Sequence, residues 1–105
     1  MTTANQLLTL LSHHIGRGNG IGVAALAAQM DVHPRQVRFM VTALRAEGHA
    51  VCGTPRDGYY IAANAAELQH TCDFLRARAM HSLVLESRLK KIPLADLIGQ
   101  LHLPT

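Results

Sequence analysis

The stretch VAALAAQMDVHPRQVRFMVTALRAEGHAVCGTPRDGYYIA, Val23 to Ala62, decides how the chain folds. It reads as two short helices joined by a tight turn and followed by a small β-hairpin. Within it the segment from Pro34 to Glu47 separates its residues by chemistry when wound at 100° per residue. Val37, Met40, Val41 and Leu44 fall within an arc of about 100°, the width of a core-facing stripe. Arg35, Arg38, Thr42 and Arg45 fall opposite, with Phe39 and Ala46 among them, and no acidic residue interrupts that face before Glu47 at its edge. A rod about 12 Å across with arginines on its free side is dimensioned for a DNA major groove.

The residues around this segment set the turn and the hairpin. Ala24 to Met30 is a helix of mostly small residues, which lets a second helix approach closely. Asp31, Val32 and His33 make the corner, with Asp suited to the left-handed conformation, Val32 plugging the inside, and Pro34 restarting a helix with its φ already set. Helix, short turn, helix is the helix-turn-helix outline. Gly48 closes the second helix. Ala50 to Gly53 and Tyr59 to Ala62 then read as strands around Thr54-Pro55-Arg56-Asp57-Gly58, with Arg56 at the tip and Gly58 where positive φ is needed. Tyr59 and Tyr60 must face opposite sides of that ribbon.

Upstream, Thr3 with Gln6 three residues later has the form of a capping box, so a first helix is expected to run to about His14. Leu7, Leu8, Leu11 and Ile15 supply its buried side, and Gly16 is placed to end it in the left-handed conformation. His13 and His14 cannot share a helix face and are read as solvated. The loop GRGNG lacks the Lys-Ser/Thr end of a P-loop and the preceding strand of a dinucleotide loop, so it is read as a mobile connection into a short Ile21 to Val23 strand. Downstream, Asn64 with Glu67 signals another helix start. The pattern stays helical from Ala65 for about 27 residues, about 40 Å. This helix has two apolar sides: Leu68, Cys72, Leu75, Ala79 and Leu83 form one, and Phe74, Ala77, Val84, Leu85 and Ile92 the other. Pro93 breaks it, and Leu94, Leu97, Ile98 and Leu101 carry a last short helix to about Leu103, before Pro104.

Composition narrows the function classes. With 105 residues and 49% hydrophobic content, the chain can build a core without disulfides or a structural metal. The expected organisation is a helix-turn-helix domain over residues 1–63 and a helical extension over 64–105. Cys52 and Cys72 form no C-x-x-C pair and read as reduced thiols, which points to the cytoplasm. Neither a secretory leader nor an apolar run long enough to span a bilayer is recognisable. The net charge of +3 is too small to identify a nucleic-acid binder by itself. There is no paired-carboxylate motif, nucleophile elbow or zincin pattern, so an enzyme is not expected. His70 and His81 share a helix face without a third ligand, and no metal or cofactor is expected.

The segments V-A-A-L-A-A-Q-M, V-x-x-R-Q-V-R, L-R-A-E-G-H-A-V and D-G-Y-Y-I, in that order, resemble the winged helix-turn-helix family, in particular compact forms such as the N-terminal domain of the biotin-operon repressor. The continuation Y-Y-I-A-x-N-x-x-E-L into a long helix also looks like small phage or prophage winged-helix proteins. The resemblance implies a mainly α fold with a small β-hairpin wing, and a recognition helix carrying Arg35, Gln36, Arg38, Phe39 and Thr42. It also makes Arg56 the wing-tip residue. Arg35 and Arg38 are then candidates for guanine or phosphate, Gln36 for adenine, and Arg45 and Arg56 for phosphate. His33 stands where the family usually has Ser or Thr; it caps less well, and when protonated it can contact phosphate. Phe39 replaces a more usual polar residue and suits a thymine methyl or a protein partner.

The function implied is sequence-specific binding of double-stranded DNA by a transcriptional regulator, a repressor, with a protein-contact or phage replication-organising module as the alternative. A homodimer is expected through Phe74, Ala77, Val84, Leu85, Ile92, Leu97 and Leu101, because a monomer would leave too much apolar surface in water.

Overall fold

A computed structural model describes residues 3–101. In chain order it contains α1 (Ala4–Leu11), a 3-10 turn (Arg17–Asn19), α2 (Val23–Met30), α3 (Pro34–Ala46), β1 (Val51–Thr54), β2 (Gly58–Ile61), α4 (Ala65–Lys90) and α5 (Leu94–Gln100). The helical fold with a small antiparallel hairpin is the expected one. Leu103 and Pro104, on which the end of the last helix was placed, lie outside the described residues. None of the described helices is long and apolar enough to cross a membrane.

The chain divides into two compact units, one ending at Thr71 and one starting at Cys72. The expected boundary at 63/64 therefore moves into α4. The first turns of that helix stay with the first unit because Glu67 and Thr71 bond to it. Glu67 accepts from the backbone amides of Arg17 (2.9 Å) and Ala63 (2.8 Å), and Thr71 accepts from Gly53 N–H at 3.2 Å.

In the first unit α3 packs against α1, α2 and β1. Its buried residues are Val37, Val41 and Leu44, with Met40 half-buried, and they meet Leu7, Leu11, Leu26, Ala27, Met30 and Val51 in one cluster. Each fully buried aliphatic side chain of this kind contributes about 1.5–3 kcal/mol relative to exposure. Asp31 takes the left-handed conformation (φ 55°, ψ 50°) that ends α2, as the turn reading requires. Gly48 (φ 89°) ends α3, with Gly48 N–H donating to Arg45 O and His49 N–H to Leu44 O, both at 3.0 Å. This pair of bonds satisfies carbonyls that the helix end would otherwise leave open.

The hairpin pairs Val51 with Ile61, Cys52 with Tyr60, Gly53 with Tyr59 and Thr54 with Gly58. Tyr60 points into the interior and is fully buried, whereas Tyr59 is half-buried. Gly58 has the positive φ expected of it, 73°, and a Cβ there would come 2.7 Å from the Ile21 backbone carbon, so glycine is required twice over.

The N-terminal side departs from expectation. The Thr3 and Gln6 capping box is present, but α1 stops at Leu11 rather than near His14. The backbone leaves the helix to bond with β2: Ile61 N–H donates to His14 O at 2.8 Å, and Gly16 N–H donates to Ile61 O at 2.9 Å. Gly16 (φ 93°) thus serves this crossing and not a helix end, and Ile15 is exposed instead of buried. The expected Ile21 to Val23 strand reduces to Ile21, which exchanges two 2.8 Å bonds with Tyr59, while Val23 already begins α2. The loop between is built, not open. His14 Nδ1 donates to Asn19 O at 2.9 Å, Asn19 Nδ2 donates to Ile15 O at 2.7 Å, and a Cβ on Gly20 would overlap the Asp57 carbonyl oxygen.

In the second unit α4 ends with Lys91 in the left-handed conformation (φ 57°), Lys91 N–H donating to Arg88 O and Ile92 N–H to Ser87 O at 3.0 Å. Pro93 sits just before α5 as its N-cap and is not its first helical residue. Leu97 is 1% exposed and Ser87 7%.

Candidate nucleic-acid interface

The free face of α3 follows directly from its period. With the aliphatic stripe turned into the core, Arg35, Arg38, Phe39, Thr42 and Ala46 are all exposed. They form one outer strip because positions three and four apart are neighbours on a helix. Phe39 is 77% exposed, an unusual setting for an aromatic ring. Among the described residues the guanidinium groups of Arg35 and Arg38 make no hydrogen bond or ion pair. Thr42 spends its hydroxyl proton on Arg38 O at 3.1 Å, which leaves its lone pairs and methyl outward.

The start of α3 is built more firmly than its sequence suggested. His33 Nδ1 accepts from Arg35 N–H at 3.1 Å, and Gln36 Oε1 accepts from His33 N–H at 3.2 Å. A histidine thus completes a capping box in place of a hydroxyl residue. The bond fixes the neutral tautomer with the proton on Nε2, so an exposed N–H donor stands beside the helix N-terminus, where anions are favoured. Gln36 is accordingly tied to its own helix end. That bond uses one of the two lone pairs of Oε1, so the second lone pair and the Nε2 amino group stay available, and the expected role of Gln36 is not opposed by it.

Arg45 departs from the phosphate contact expected of it. Its Nε donates to Val51 O at 2.7 Å, the side chain is half-buried, and Nη2 is buried without a partner. On the helical wheel it lies only about 40° from Val41, so packing of β1 against α3 draws it beneath the wing. It joins α3 to β1 and is not an open phosphate contact.

At the wing, Arg56 lies exposed at the centre of the three-residue tip, Pro55 to Asp57, with its guanidinium unpaired among the described residues. A residue outside the expected set joins it. Arg17, from the loop read as mobile, forms a 2.9 Å ion pair through Nε with Asp57 Oδ2. Asp57 Oδ2 also accepts from the Thr54 hydroxyl at 3.1 Å, while Asp57 N–H donates back to that hydroxyl at 3.2 Å. The Arg17 side chain remains nearly half exposed, so its outer nitrogens add a second cation to the wing. Forty positions separate Arg17 from Asp57, and no local pattern announces such a pair. Beneath it, the two backbone amides of Ala63 and Arg17 hold the Glu67 carboxyl below the usual carboxylate range.

Of the residues expected in a dimer, Ala77, Leu85 and Leu101 are exposed, Phe74, Val84 and Ile92 are half-buried, and Leu97 is buried within the single chain. Leu97 therefore offers no surface to a second copy and leaves that set. Leu89, assigned to neither apolar side, is 84% exposed.

No family model, curated protein or solved structure matches this chain.

Proposed function

We propose that this chain is a sequence-specific double-stranded DNA-binding protein of the winged helix-turn-helix kind, acting as a dimeric transcriptional regulator, a repressor, in the cytoplasm. One observation carries the reading: the outer strip of α3 holds Arg35 and Arg38 exposed and unpaired, with Phe39 and Thr42 beside them and no carboxylate on the strip. In this reading α3 enters the major groove, Arg38 and Arg35 reach base edges or phosphates, and the wing cations Arg56 and Arg17 meet the neighbouring backbone. His33 Nε2–H donates to a phosphate at the helix start.

With about four to six phosphate contacts per protomer, binding of labelled duplex should weaken with a log–log salt slope of roughly −4 to −5 per protomer. Titration at several salt concentrations measures it. Absence of binding at low salt would turn the reading toward protein contacts. That second reading is favoured by Phe39 alone, since an open aromatic ring on a helix face equally suits a protein partner.

A further inference from the structure

We infer that the second unit associates with a second copy of this chain along one seam of α4, with the two helices antiparallel. The inference rests on the dimeric reading above and names the face and the orientation. Cys72, Leu75, Ala79, Ser82, Glu86 and Leu89 are spaced alternately three and four residues apart, the repeat of a two-helix seam. At 100° per residue they fall within an arc of about 100°. All of them are exposed in the single chain except Glu86, which is half-buried. The burial on this part of α4 gathers instead at Leu83, Val84 and Ser87, centred about 100° around the helix. The seam is thus a different surface from the side carrying Val84, and Leu75 and Leu89 replace Leu97 as its anchors.

Charge selects both the occupant and its direction. Arg76 and Arg78 flank the seam near its start, Arg78 lying 5.8 Å over the Phe74 ring, and Glu86 stands in the seam near its end. A parallel copy would set Glu86 against Glu86 of the partner subunit and bring the arginines together. An antiparallel copy pairs Cys72 with Leu89 of the partner subunit, Ala79 with Ser82 of the partner subunit, and Leu75 with Glu86 of the partner subunit. Each Glu86 carboxylate then lies between two arginines of the facing helix, an arrangement that opposes the wrong orientation as well as favouring the right one. Glu86 already has Lys90 at 3.7 Å on its own helix, an exposed pair whose exchange for arginine costs little.

Cys72 makes the orientation measurable, because the other cysteine, Cys52, is buried. In the antiparallel pair the two copies of Cys72 lie about 25 Å apart along the helices. A short bis-maleimide applied to the intact native chain should therefore yield no covalent dimer. In Leu89→Cys, an open position in the single chain, covalent dimer should rise about tenfold or more, since assembly holds the facing thiols at millimolar effective concentration. Adding Cys72→Ser should abolish it. Cross-linking of the native chain through Cys72 would show a parallel pair and overturn the proposal. A Leu89→Cys yield no greater than native, in a chain that sediments as a dimer, would place the interface on another face. A chain that sediments as a monomer at tens of micromolar would instead remove the dimeric reading itself.

Discussion

The helix Pro34–Ala46 and the later part of Ala65–Lys90 spend their apolar residues in opposite ways. In α3 the aliphatic side chains of one stripe are consumed by the core, so the residues left outside are mostly polar or cationic, with Phe39 as the one large apolar exception. In α4 the apolar residues are spread around the helix, and Leu75, Met80, Leu85 and Leu89 are exposed in the single chain. A helix whose apolar surface is exhausted by its own domain presents its polar chemistry to partners. A helix with apolar surface to spare presents that surface, and the partner it suits is apolar too.

The largest effect that tests this contrast is on stability. Leu44→Ala should cost about 2–5 kcal/mol, because it empties space in a filled core, whereas Leu89→Ala should change the stability of the dilute chain by no more than about 0.5 kcal/mol. Urea unfolding of both variants measures the difference. Comparable losses would mean that Leu89 is covered in solution.

Next in size is the effect expected on the free face of α3. Arg38→Ala should reduce discrimination between a cognate site and random duplex by about 1–3 kcal/mol, while Arg56→Ala weakens both complexes about equally. Equal losses from Arg38→Ala would assign that residue to phosphate.

A smaller change should separate the two kinds of arginine on α3. Arg45→Met removes the bond to Val51 O and one buried unpaired nitrogen together, so it should cost about 1 kcal/mol of stability and leave the salt slope of DNA binding unaltered. A slope shallower by about one unit would return Arg45 to the phosphate contacts.

The smallest effect concerns the clasp beneath the wing. Glu67 has its carboxyl held below the usual range by the amides of Ala63 and Arg17, so its contribution is present above that range and is lost as pH falls through the lowered value. Glu67→Gln should therefore flatten the acid side of the stability profile and leave its neutral shape intact. Urea midpoints measured from pH 7 downward, through and below the usual carboxylate range, test this. An unchanged acid side would mean that the clasp does not distinguish the folded state.

The corrections share a physical pattern. Arg45 was placed on the outer strip by period, yet it sits at its border, where a neighbouring strand takes the polar group first. His14 and the GRGNG loop read as open because two of the groups that hold them, Asp57 and the β2 backbone, become neighbours only after the hairpin closes.

By itself the sequence determined the elements whose causes are local. The corner at Asp31 to Pro34, the stripe of α3, the glycines at 48 and 58 and the cap at Thr3 all act within one or two turns of chain, where period, dihedral preference and capping chemistry suffice. Only the tertiary structure decided which polar groups stay free. The early end of α1 and the Arg17 to Asp57 clasp depend on backbone or side chains distant in sequence, and the retirement of Arg45 on a strand that must first pack against its helix. Such competition for hydrogen-bond partners and for cover from water is settled by packing, which no window of sequence contains.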